Sequence, residues 1–200
     1  AVIIYHMGFF YWFKGGFIGV DIFFVISGYV ISKSIFHRPF PNLKTYLSEF
    51  YQRRMRRILP ALSVCLIITI FASTLFIPDA WLNKTFNKTG LSAFWGYSTF
   101  SLVNNNSDYF SARTDYNPFL HTWSLAIEEQ FYLLFPFLFY IWLKFKGCKS
   151  IMGFTAKTIL IFLCIVSFCF AIYESKEHQV WAFYLLHSRF WELGAGALLF

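Results

Sequence analysis

From Ile58 to Pro78 the chain runs for 21 residues, ILPALSVCLIITIFASTLFIP, without one charged side chain. A helix of that length rises about 30 Å, the thickness of the hydrocarbon core of a bilayer. Lipid offers no partner to a bare peptide N–H or C=O, so a segment that crosses it must be a helix or a strand of a closed barrel. An unbroken apolar run without alternation is a helix. Similar runs recur at Gly15–Ser32, Leu120–Leu143, Thr155–Tyr173 and Val180–Phe200. Ala1–Phe13 is too short to span and reads as the outer end of a first helix. Leu91–Val103, also short, reads as a re-entrant or interfacial helix. The expected fold is therefore all-α, a polytopic transmembrane helix bundle of about six to seven membrane helices plus that short piece. The chain opens and closes inside apolar stretches, so residues 1–200 are expected to be one transmembrane domain truncated at both ends.

Composition agrees. Hydrophobic residues make up 58% and charged residues 14%, against about 25% charged in a soluble domain, and the mean hydropathy is +0.53. The net charge of +7 calls for no nucleic acid, because Lys and Arg collect on cytoplasmic loops during membrane insertion. Lys33–Arg57 is the most basic stretch and is read as such a loop, with Lys144–Ser150 as a second. This orients Gly15–Ser32 from outside to inside and puts His6 toward the outer side. The four cysteines, Cys65, Cys148, Cys164 and Cys169, have no zinc-site spacing and read as small hydrophobes.

Polar residues inside the apolar runs are the candidates for chemistry, since a charge at membrane depth costs about 2.5–3.5 kcal/mol or more. His121–Pro136, HTWSLAIEEQFYLLFP, is the densest case. At 100° per residue His121, Ser124 and Glu128 fall on one face, with Glu129 pointing elsewhere. Such a face lines a polar cavity, or else the two acids mark the headgroup level. Asp21 shares a face with Val25, Gly28 and Ser32, and the Gly and Ser allow another helix to come close. Asp21 must find a partner there, either to orient a catalytic histidine or as a structural acceptor. Arg189 and Glu192, three apart, can pair. His6 is a general-base candidate or a hydrogen-bonded structural histidine. In Arg53–Arg57 the pairs Arg53/Arg56 and Arg54/Arg57 form two arginine faces, suited to phosphate or to anionic lipid as a topology signal.

Several blocks together resemble the acyltransferase 3 family of integral-membrane O-acyltransferases. They are Tyr5–His6, GFIGVDIFFVISGYVIS at Gly16–Ser32, FYQRRMRRILPAL at Phe50–Leu62, NPFLHTWSLAIEEQFYLLFP at Asn117–Pro136 and RFWELGAGAL at Arg189–Leu198. The resemblance implies transfer of an acyl group, usually acetyl, from cytoplasmic acyl-coenzyme A to a hydroxyl of a surface glycan such as lipopolysaccharide O-antigen. It implies a multi-pass protein of a bacterial inner membrane, with acetyl-coenzyme A as co-substrate and no permanently bound cofactor or metal. His6 would be the general base or relay for the acceptor hydroxyl, with Glu128 and Asp21 as further catalytic residues. Arg53, Arg54, Arg56 and Arg57 would hold coenzyme A phosphates, chiefly through Arg54 and Arg57. His121, Trp123, Ser124, Arg189 and Glu192 would meet the acceptor. The family's basic residue before the first-helix histidine would precede Ala1. A transporter or flippase with a carboxylate and histidine proton relay is the competing class, although no inverted repeat is visible. A haem protein using His6 and His121 as ligands is a third.

Overall fold

The computed structural model describes residues 18–36, 42–76, 84–104, 117–145 and 151–200. These residues are helical apart from short turns. In chain order the helices are α1 (Ile18–Phe36), α2 (Leu43–Phe76), α3 (Lys84–Phe94), α4 (Ser98–Asn104), α5 (Thr122–Phe145), α6 (Ile151–Glu177), α7 (Gln179–Tyr184) and α8 (Leu186–Leu198). Among the described residues four helices are long and apolar enough to cross a membrane: Ile18–Phe36, Leu43–Phe76, Thr122–Lys144 and Ala156–Glu177. The chain is a multi-pass integral membrane protein. The expected first helix, with His6, lies outside the described residues.

Three expectations are corrected. The basic stretch read as a loop is helix from Leu43 onward, continuous with the apolar run. The carboxamide oxygen of Asn42 accepts the Thr45 N–H at 2.8 Å and caps the start, and Tyr46 and Phe50 bury one face of this charged part. Second, Leu91–Val103 is not one helix. It breaks at Gly96, whose φ of +71° is left-handed. Gln130 clasps the break, its amide donating to the Gly96 carbonyl at 3.3 Å and to Thr99 Oγ1 at 2.9 Å. Glu129 lies where a Cβ on Gly96 would point. Third, Val180–Phe200 is split into α7 and α8 by Leu185, which is extended at φ −99° and ψ 141°.

The core is aromatic, built on Phe24, Phe50, Phe131, Phe135 and Tyr184. The tightest crossing is between α1 and α8. A Cβ on Gly28 would strike the Leu193 carbonyl, and one on Gly196 would strike the Val25 carbonyl. Paired glycines thus let two backbones touch, as the Gly28–Ser32 face of α1 leads one to expect. That contact brings the first turn of α1 beside the first turns of α8.

Candidate active site

A cavity of about 720 Å³ lies between α1, α2 and α5 and is closed by the Pro118–Phe119 turn. Most of its wall is apolar, from Ile26, Val30, Leu62, Leu66 and Leu125 among others. Its polar groups are Ser27, Arg54, Arg57, Thr69, His121, Thr122, Glu128 and Tyr132.

The helical register of α2 sorts the four arginines. Arg54 and Arg57, three apart, line the cavity. Arg53 instead turns to Glu49, 3.2 Å away, and Arg56 is exposed. The Arg54 guanidinium lies 5.2 Å from the centre of the Tyr132 ring and 5.8 Å from that of Phe50. One of its Nη atoms reaches Ser34 Oγ at 3.4 Å. Two aromatic faces and a hydroxyl hold the planar cation while leaving edge N–H groups for a ligand. Tyr132 in turn donates its O–H to Glu128 Oε2 at 3.1 Å. Glu128 is buried, and its Oε1 has no hydrogen-bond partner among the described residues. Arg54, Tyr132 and Glu128 therefore form one connected polar group across α2 and α5. Tyr132 was not singled out from the sequence; its place one helical turn after Glu128 was the available signal.

The expected face of His121, Ser124 and Glu128 is only partly assembled. His121 and Glu128 line the cavity, but Ser124 donates to the His121 carbonyl at 3.4 Å. Trp123 lies in the core rather than on this cavity. It packs on Phe183 at 4.5 Å between ring centres, and the Arg189 guanidinium lies 5.5 Å from its ring.

Asp21, Arg189 and Glu192 come together elsewhere. Arg189 Nη1 bonds Asp21 Oδ1 at 2.6 Å and Glu192 Oε1 at 3.0 Å, while its Nε donates to the Phe183 carbonyl at 3.0 Å. The break at Leu185 ends α7 and leaves that carbonyl free for the arginine. Nearby, and not foreseen, Glu174 bonds both His187 Nε2 at 2.6 Å and Ser188 Oγ at 2.8 Å, joining the end of α6 to the start of α8.

The family model described as an acyltransferase domain matches residues 1–200. The peptidoglycan O-acetyltransferase OatA of Listeria monocytogenes is 40% identical over 144 residues, 72% of this chain and 23% of that protein. The O-acetyltransferase OatA of Staphylococcus aureus is 38% identical over 136 residues, 68% of this chain and 22% of its own length. A putative peptidoglycan O-acetyltransferase of Bacillus subtilis, YrhL, is 33% identical over 199 residues, all of this chain and 31% of that one. The chain thus spans between a fifth and a third of the relatives it matches. No solved structure matches it.

Proposed function

The chain belongs to the acyltransferase 3 family, and on that premise we propose that it serves an O-acetyltransferase that moves an acetyl group from acetyl-coenzyme A to a hydroxyl of a cell-envelope glycan. The observation that carries this is the single cavity holding Arg54 and Arg57 together with His121 and Glu128. Two arginines with unblocked edges suit the phosphates of coenzyme A. A carboxylate and an imidazole suit a hydroxyl that must lose its proton.

In the reaction the hydroxyl oxygen attacks the thioester carbonyl. A C–O bond forms, the C–S bond breaks, and the coenzyme A thiolate leaves to take up a proton. The hydroxyl proton passes to a base. His6 is the proposed base, on the family resemblance, with Glu128 as the carboxylate that steadies or relays that proton. Tyr132 holds Glu128 in place by its hydrogen bond. Asp21 is assigned a supporting role through Arg189. Arg54 and Arg57 lie toward the cytoplasmic, donor side, and the acceptor approaches from the opposite side. Relatives named for peptidoglycan favour a peptidoglycan-type acceptor over the O-antigen expected from the resemblance.

The test is transfer of labelled acetyl from acetyl-coenzyme A to envelope polysaccharide by the protein in membrane vesicles. Transfer by wild type, and its loss on joint Arg54→Ala and Arg57→Ala substitution with insertion intact, supports the assignment. Transfer unaffected by the double substitution overturns the donor site. Absence of transfer from a correctly inserted wild type favours the proton-coupled transporter.

A further inference from the structure

A second cavity, of about 440 Å³, opens where α6 leads into α7 and α8, and it shares no lining residue with the first. Its size falls in the range of about 300–1,000 Å³ typical of small-molecule sites. Arg189 and Glu192 are among its lining residues, Phe183 and Trp191 bring aromatic rings to it, and Ser175 and Gln179 add polar groups at exposed positions.

The charges decide what such a site can hold. Arg189 is already engaged by Asp21, by Glu192 Oε1 and by the Phe183 carbonyl. Two carboxylates share one guanidinium, so the cluster has no surplus positive charge to offer and an anion is disfavoured. Glu192 is 4% exposed, and its Oε2 has no hydrogen-bond partner among the described residues. A buried carboxylate oxygen calls for a donor, because buried polar atoms are rarely left unpaired. The aromatic rings call for a ligand with C–H faces, which meet the negative face of a ring favourably.

A pyranose ring combines O–H or amide N–H donors with C–H faces and carries no charge. We propose that this cavity is a subsite for a neutral sugar residue, which donates to Glu192 and lies against Phe183 and Trp191. The proposal deepens the acyltransferase reading and rests on it for the glycan to which the sugar belongs. The glycan is then gripped at a place separate from the donor cavity, with Trp123 and Arg189 in contact between the two.

The test measures binding with no acyl donor present. Detergent-solubilised protein is titrated with labelled N,N′,N″-triacetylchitotriose, and acetyl transfer is assayed on the same preparation. Glu192→Gln keeps the shape and one acceptor oxygen for Arg189. Ser175→Trp fills the cavity from an exposed position and avoids disturbing the cluster. Saturable binding by wild type, weakened about tenfold by either substitution, is the expected result. In transfer assays the same variants should raise the acceptor KM by a similar factor, with a much smaller change in kcat. Equal binding by wild type and both variants overturns the subsite. So does tighter binding of the deacetylated, cationic trimer or of an oligouronate. Transfer without any oligosaccharide binding overturns the subsite alone, whereas loss of both binding and transfer in wild type overturns the acyltransferase reading with it.

Discussion

The phenol of Tyr51 on α2 donates to the main-chain carbonyl of Tyr132 on α5 at 3.2 Å. That carbonyl is the one that Pro136, four residues on inside α5, cannot serve, because proline has no N–H. A helix-breaking residue thus creates an acceptor, and a neighbouring helix fills it. The residue so anchored is the one whose ring lies under Arg54 and whose hydroxyl holds Glu128. Tyr51→Phe should destabilise the protein by about 1 kcal/mol, read as a lowered midpoint of thermal unfolding in detergent. In a Pro136→Ala background the helix supplies its own donor, and the same substitution should then have little effect. Equal losses in both backgrounds would show that the phenol acts by packing.

Arg54→Lys keeps the charge but loses the planar group that stacks on Phe50 and Tyr132. On the proposed donor assignment it should raise the KM for acetyl-coenzyme A about tenfold, equivalent to about 1.4 kcal/mol, with the acceptor KM unmoved. Steady-state kinetics with each substrate varied in turn checks this. A lysine variant with wild-type donor KM would mean that the phosphates are held elsewhere.

Gly28→Ala puts a methyl group into the Leu193 carbonyl, and Gly196→Ala puts one into that of Val25. Backbone cannot step aside as a flexible side chain does, so each substitution should cost about 1–3 kcal/mol and loosen the α1–α8 crossing. Protease resistance and thermal stability in detergent measure the loss. Unchanged stability for both would argue that the two helices pack less closely than described.

Replacing Arg189 by methionine removes the cation shared by Asp21 and Glu192 and leaves Glu192 buried without its partner. Breaking a buried pair from one side costs about 3–5 kcal/mol. Adding Asp21→Asn and Glu192→Gln should recover much of that stability, since the orphaned charges go as well. If the triple variant is no more stable than Arg189→Met, the loss arises from the guanidinium's stacking on Phe183 and Trp123 and not from charge.

Different parts of this structure differ in how plainly the chain announces them. Membrane spans are legible because lipid leaves a segment so few options, and the Arg189–Glu192 pair follows from i,i+3 spacing. Asp21 pairs with Arg189, a partner that 168 residues of separation keep hidden in the sequence. The break at Leu185 has no glycine or proline to mark it, and the nearby Phe183 carbonyl is taken by Arg189. The helical start of α2 was obscured by its charges, which resemble a topology signal. The i,i+4 pair Tyr46 and Phe50, both buried, was the counter-signal in the same residues. Ser124 is where the periodicity fails: His121 and Glu128 share the cavity, whereas the Ser124 hydroxyl turns back to the His121 carbonyl.

The continuity of α2 from Leu43 through its arginines has an entropic consequence. Had those residues formed a loop, a ligand would have had to order them on arrival, at about 1–2 kcal/mol for each backbone residue fixed. In a rod capped at Asn42 and seated on Tyr46 and Phe50, the angular phase of Arg54 and Arg57 is set when the chain folds. Ligand binding then has little backbone freedom left to quench, and the interaction energy of two arginines goes more fully into affinity.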